Sequence, residues 1–381
     1  MSQKKILVLG AGLVGKAIAV DLSKKYDVSC ADIQLCSLEA LSPKYSVSVI
    51  PCNFKDKDAL TKLVRPFDLI IGAVPGFMGF EVLKTIIEAG KNVVDISFFP
   101  EEPFELDALA KKNNVIAVTD CGVAPGLCNI MVGFHRRQTK ILSYECLVGG
   151  LPRVREWPFE YKAVFSPVDV IEEYTRPARY VENGAQVMKE ALSDVEKIVF
   201  DEIGELESFN SDGLRTLAHT MKEVPNMKEK TLRYPGHAEL MKIFRETGLF
   251  SKTPIDIKGT NITPLEFTSK LLFPKWKLKA GEEDFTIMRV IIETEKEKFA
   301  YTLLDRFDKS TSTTSMARTT GYTCTAVADL ILEGKFSRKG ISPREFVGDK
   351  QECFGAVMKY LGDRNVFCKK ETIRKKELAK L

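Results

Sequence analysis

The 381-residue chain holds only three histidines and two tryptophans, and its nine cysteines include no C-x-x-C pair. The cysteines, at positions 30, 36, 52, 121, 128, 146, 324, 353 and 368, are odd in number and scattered. That pattern excludes a disulfide framework and a zinc site, so no metal is expected, and most of the thiols read as small buried hydrophobes. No apolar run is long enough to span a bilayer, which excludes a membrane partner of that kind. The opening MSQKK runs straight into a strand and reads as lacking a signal peptide, so the expectation is a cytoplasmic chain. Charge of one sign is also lacking. The formal charge is +4, and the last thirteen residues, KKETIRKKELAKL, carry six basic and two acidic side chains. The rest is near neutral, which argues against a nucleic-acid-binding face. The tail itself reads as a solvated helix end or a frayed terminus. No internal repeat is evident.

What the first third does have is alternation. KKILVLG, DVSCAD, SVSVIP, DLIIGAV, NVVDIS and VIAVTD read as six strands. Between most of them lie helix-period segments, LVGKAIAVDLSKK, KDKDALTKLV, FEVLKTIIEAG and PFELDALAKKN. Val/Ile-rich strands separated by helices predict a parallel sheet covered on both faces, the doubly wound dinucleotide-binding fold. The length suggests roughly two domains. Residues 1–125 are expected to form the first.

The loop GAGLVG after the first strand carries Gly10, Gly12, Leu13, Val14 and Gly15. Gly10 permits a tight turn, Gly12 lets backbone approach a pyrophosphate, and Gly15 lets helix and strand pack closely. The helix N-terminus adds free N–H groups and positive potential. Asp32 ends the second strand about twenty residues on, where a carboxylate binds ribose hydroxyls and repels a 2′-phosphate. Ile33 and Gln34 follow, with no arginine for that phosphate. The expected cofactor is NAD. Ligands sit at the carboxyl ends of strands in this fold. That puts Cys52 and Asn53 near the adenine, Val74 and Pro75 along the dinucleotide, and Asp95 to Phe98 towards the nicotinamide.

A second glycine loop, Asp120 to Gly126 in TDCGVAPG, follows the sixth strand. Two readings stand: it builds the floor of the reaction site, with the next helix offering N–H groups to an anion, or it is a hinge rich in turn formers. Beyond it, ILSYECLVGGL, KIVFDEIGELESF, IDIKGTN, FTIMRVIIETE and KFAYTLLDRFD read as longer strands, with helices at about 237–248 and 264–273. These predict a largely antiparallel α+β domain over 126–314. SMARTTGYTCTAVADLILEGKF keeps helical spacing from Ala317 to Leu332 until Gly334.

Several stretches together carry a resemblance: VLGAGLVGK, TDCGVAPGLCNIMVG, PFEYKAVFSPVDVIEEYTRPA, TLRYPGHAELMK and SMARTTGYTCTAVADLILEGKFSRKGISP. The chain resembles the saccharopine dehydrogenase family, and within it the L-lysine 6-dehydrogenases. The resemblance runs nearly end to end. It implies that residues 315–381 return to the first domain, and that the second domain supplies substrate contacts and a dimer interface. It also implies oxidation of the ε-amine of L-lysine, with hydride passing to NAD and release of ammonia and a semialdehyde. Enzymes acting on saccharopine or a carboxylated polyamine are the nearest alternative, and a dinucleotide-binding regulator without turnover is the alternative from another class.

An ammonium has no lone pair with which to form an imine, so the chemistry needs a base or a pocket that keeps the amine neutral. His237, at a helix start in RYPGHAEL, is a candidate base, or a capping or packed histidine. His135 reads as a surface residue, and His219 lies in a polar stretch. Glu160 and Tyr161 offer a carboxylate and a phenol to the substrate's nitrogen. Arg215 and Arg233 offer guanidinium groups to its α-carboxylate. Asp120 either positions the nicotinamide or caps its loop.

Overall fold

A computed structural model describes residues 3–39, 41 and 45–374. The chain divides into two compact units, Met1–Thr139 with Ala317–Phe367, and Lys140–Met316 with Cys368–Leu381. No helix among the described residues is long and apolar enough to cross a membrane.

The first unit is built on β1 (Lys5–Leu9), β2 (Asp27–Asp32), β3 (Val47–Pro51), β4 (Leu69–Gly72), β5 (Asn92–Asp95) and β6 (Ile116–Val118). They form a parallel sheet in the order β6-β5-β4-β1-β2-β3, and Gly340–Ile341 adds a seventh parallel strand beside β6. The doubly wound expectation therefore holds. Ile6, Leu7, Val8, Leu69, Ile70, Ile71, Val93 and Val94 are wholly buried, as strands covered on both faces require. The helix Gly76–Glu88 buries Gly79, Val82, Leu83, Ile86 and Ile87, one helical stripe turned to the core. Strand order reverses between β1 and β4, so their carboxyl ends open a crevice at the glycine loop.

The second unit is a mixed sheet. Its path runs Glu196–Phe200, Gly204–Asn210, Asn226–Arg233, Ile141–Pro152, Asp284–Thr294, Glu297–Arg306 and Cys368–Arg374. Ala178–Glu182 and Ala185–Lys189 attach to Asn226–Arg233. Neighbours are antiparallel except Asn226–Arg233 with Ile141–Pro152, which run parallel. The helices Pro167–Thr175, His237–Glu246 and Pro264–Trp276 contribute to its apolar core.

Three sequence expectations shift. KIVFDEIGELESF is a hairpin and not one strand, because Gly204, at φ +93°, ends a turn that reverses the chain. IDIKGTN is likewise a small hairpin, Ile255–Ile257 with Thr260–Ile262. Of the basic tail, residues 369–374 belong to an edge strand on Glu297–Arg306 and not to a helix, while 375–381 lie outside the described residues. The divisions also fall elsewhere than at 125 and 314. The helix Leu127–Arg136 stays with the first unit because backbone packs on backbone there: a Cβ on Gly133 would lie 2.1 Å from Glu345 O, and one on Gly348 2.0 Å from Ile130 O.

Candidate dinucleotide and substrate sites

The three glycines of the first loop do different work. Gly10 has φ +110°, and a Cβ there would meet Ala73 O at 2.3 Å. A Cβ on Gly15 would meet Gly10 O at 2.0 Å, so the helix lies on the turn only because no methyl intervenes. A Cβ on Gly12 would meet nothing within 4 Å. Gly12 is also the N-cap of the helix Leu13–Leu22, which has no side-chain cap and no acidic residue in its first turn. An open approach, N–H groups at a helix start and positive helix potential fit a pyrophosphate.

Asp32 closes the other side. Its Oδ2 accepts from Ala11 N at 2.7 Å and its Oδ1 from Gln34 N at 2.8 Å. The carboxylate thus ties β2 to the glycine turn, while each oxygen keeps a lone pair for a hydroxyl donor. Asn53 Oδ1 is used locally, accepting from Lys55 N. Val74 is buried, and Pro75 is the exposed N-cap of the helix Gly76–Glu88. Leu13 and Val14 open the first helix, and Leu13 is 47% exposed. Asp95 is wholly buried, and its carboxylate accepts from Ser97 N at 2.9 Å and Ser97 Oγ at 3.2 Å.

The second glycine loop is not a second anion seat. Leu127 N donates to Gly122 O, Cys128 N to Val123 O, and Asn129 N and Ile130 N to Gly126 O. Asn129 Oδ1 takes Gly126 N at 2.9 Å. The loop therefore satisfies the opening N–H groups of its own helix, and the expected anion reading fails for that reason. Gly126 makes this closure possible, since a Cβ there would fall 1.7 Å from Gly122 O. Asp120, with φ +52°, pairs with Arg344 at 3.0 Å, both side chains at most 1% exposed. Asp120 thus pins its loop to the returning segment. The neighbouring Cys121 thiol is pushed up to about 12 by burial. Arg344 was invisible in sequence, where it is one charged residue in an ordinary SPREF stretch.

In the second unit, three of the predicted residues come together. Arg233 is 2% exposed and lies over the Tyr161 ring at 4.6 Å. The Tyr161 ring lies 5.1 Å from that of His237. Three of the five N–H groups of the Arg233 guanidinium are engaged: Nη2 donates to Glu173 at 2.5 Å, Nη1 to Leu232 O at 2.9 Å and Nε to Tyr174 Oη at 3.3 Å. It holds Tyr174 and Glu173 in place. Burial pushes the Glu173 carboxyl up, against the pull of Arg233.

His237 is 2% exposed at the start of its helix. Its Nδ1 faces Phe159 O at 2.9 Å, and a carbonyl only accepts, so Nδ1 carries the proton. Nε2 then accepts from the Tyr174 hydroxyl at 2.9 Å. Burial, with Arg233 nearby, drives its pKa down to about 3. The imidazole is neutral, as expected, yet its one lone pair is spent, so a free base near neutral pH is not what stands here. The helix cap comes from Glu207 instead, which accepts from Gly236 N at 2.9 Å and Ala238 N at 2.6 Å.

Glu160 pairs with Arg155. Arg215 is 2% exposed with φ +51°, and its charge, after burial, helps hold the Arg176 guanidinium down, with Asp212 and Glu172 opposing. His135 is 1% exposed, not a surface residue, because it lies on the inner side of the helix Leu127–Arg136. Glu173 and Tyr174 were missed; their role depends on a helix crossing over the sheet, which no local spacing encodes.

The saccharopine dehydrogenase NADP binding domain matches residues 6–118, and the saccharopine dehydrogenase C-terminal domain matches residues 122–366. The chain is 26% identical over 286 residues to the mitochondrial alpha-aminoadipic semialdehyde synthase of Rattus norvegicus, covering 71% of this chain but 31% of that one. It is 27% identical over 263 residues to the NADP(+), L-glutamate-forming saccharopine dehydrogenase of Schizosaccharomyces pombe, covering 65% and 58%. The chain thus spans about a third of the first relative's length and less than two thirds of the second's. Among solved structures, the apo L-Glu-forming saccharopine dehydrogenase of Saccharomyces cerevisiae aligns over 97% of this chain and 100% of that one, at a TM-score of 0.76 and 21% identity. The homospermidine synthase of Legionella pneumophila in complex with NAD aligns over 98% and 92%, at 0.68 and 13%. At such identities these two likenesses speak to the fold. With a two-unit architecture of this kind and matches running from residue 6 to residue 366, the chain belongs to the saccharopine dehydrogenase family.

Proposed function

We propose that this chain is an NAD-dependent dehydrogenase that oxidises the ε-amine of L-lysine: hydride leaves the ε-carbon for NAD, a proton leaves the nitrogen, and water hydrolyses the resulting imine to ammonia and 2-aminoadipate 6-semialdehyde. The observation that carries the cofactor reading is the open approach at Gly12 beside the Asp32 carboxylate. NAD, when bound, accepts the hydride. Gly12 and the opening N–H groups of the helix Leu13–Leu22 hold its pyrophosphate, and Asp32 takes its ribose hydroxyls and disfavours a 2′-phosphate. The lysine reading is supported by the LRYPGHAE and MARTTGYT stretches. In it, the buried Tyr161–Arg233–His237 group fixes the fold around the substrate side, and the chain keeps the amine neutral by desolvation more than by a strong base.

The test is NADH absorbance produced by purified protein with NAD and, in parallel, L-lysine, saccharopine or carboxylated polyamines, repeated with NADP. Reduction with lysine and NAD, and little with NADP, is the expected result. Activity with saccharopine and NADP would replace this reading with that of a saccharopine dehydrogenase. NAD binding without turnover on any amine would leave a regulator.

A further inference from the structure

The helix Ser315–Leu332 begins at the point where the chain leaves one unit for the other, after Met316. Its opening N–H groups are capped from far away in sequence. Asp284, 1% exposed on the strand Asp284–Thr294, accepts from Ser315 N at 2.7 Å through Oδ1 and from Met316 N at 3.1 Å through Oδ2. Each oxygen thus takes one N–H of a single helix turn, 31 and 32 residues away.

The surroundings make the charge expensive. Asp305, 6% exposed, lies opposite Thr286 on the adjoining strand, on the same face as Asp284. Opposite Asp284 on the other neighbouring strand stands Pro152, which brings no charge. Glu283 pairs with Arg153 and Lys309, Arg306 with Glu202, and Asp308 holds Ser310 and Thr311. On the helix, Arg318 donates to Arg364 O at 3.0 Å. Among these groups, the buried Asp305 carboxylate repels a negative charge on Asp284.

We propose that Asp284 is a proton-sensitive clamp on the first turn of the helix Ser315–Leu332: ionised it holds both opening N–H groups, and protonated it holds one. Burial first, opposed by the N–H groups of Ser315 and Met316, and then the neighbouring Asp305 raise its pKa to about 6. The switch thus sits within the pH range in which most proteins stay folded. Local and global effects run in opposite directions. Because the folded pKa is raised above the unfolded value of 3.8, the group's contribution to global stability is fully present below about 3.8 and is lost as pH rises through about 6. The clamp on the helix turn, by contrast, tightens as pH rises.

Hydrogen exchange of the full chain, read on the peptide spanning 314–320 from pH 5 to 8 and corrected for intrinsic rates, tests this. Protection is expected to fall about tenfold as pH drops through about 6, the loss of one hydrogen bond to a charged group. Asp284→Asn is expected to give a flat profile. Asp305→Asn is expected to keep the transition and move it to lower pH, and decides the matter alone if Asp284→Asn fails to fold. A flat profile in the unsubstituted chain, or an unshifted midpoint in Asp305→Asn, would overturn the proposal.

Discussion

A methyl group at Gly12 and one at Gly15 meet different fates, although the residues are three apart. At Gly15 it would strike Gly10 O, and at Gly12 it enters open space. Gly15→Ala is therefore expected to destabilise the chain by about 1–3 kcal/mol, seen as a lowered thermal midpoint. Gly12→Ala should cost under about 1 kcal/mol, since extended backbone suits alanine there, yet weaken dinucleotide binding about tenfold or more in a titration. Equal loss of stability in both variants would show that the open space at Gly12 has no ligand role. His237 gives a second residue-scale prediction. Its imidazole proton resonances should stay fixed from pH 8 to pH 5, because burial and Arg233 hold its pKa near 3. A midpoint near the ordinary histidine value would return it to the list of bases.

At the scale of elements, the two glycine loops look alike in sequence and differ in what their helices leave open. The helix Leu13–Leu22 starts uncapped, while Leu127–Arg136 is closed by its own loop and by Asn129. Asn129→Ala should cost about 1 kcal/mol of stability and leave dinucleotide affinity unchanged. The loop's anchor matters more. Arg344→Met removes the guanidinium from the fully buried Asp120 carboxylate, and a loss of about 3–5 kcal/mol is expected in denaturant unfolding. Asp120→Asn with Arg344→Met should recover part of that loss, since a neutral amide is cheaper to bury than an unpaired charge.

Over the whole molecule, buried titratable groups set a pH dependence with two opposing parts. His237 has a folded pKa below its unfolded value of 6.5, so its contribution is present above pH 6.5 and is lost as pH falls from there towards about 3. Over that window the slope is up to about 1.4 kcal/mol per pH unit. Asp284 works the other way between about 6 and 3.8. The stability of His237→Gln, followed by denaturant unfolding from pH 7 to 4, should fall less steeply than that of the unsubstituted chain. An identical slope would mean that His237 is charged in the folded state.

Much of this was legible beforehand for identifiable reasons. Continuous apolar runs of strand length and helical stripes are local, so the six parallel strands, the glycine turn at Gly10 to Gly15 and the long helix ending before Gly334 could be read directly. Asp32 could be read because its distance from the turn is fixed by one strand–helix–strand unit. The sequence by itself thus determined the first unit's architecture and the glycine turn with its uncapped helix start at the switch point. Only the tertiary structure decided which arginine meets which carboxylate: Arg344 with Asp120, Arg233 with Glu173, and Asp284 at a helix 31 residues away. Those pairings join groups 31 to 224 residues apart, and residues so distant are brought together by sheet order and helix packing, which leave no periodicity in the chain to read.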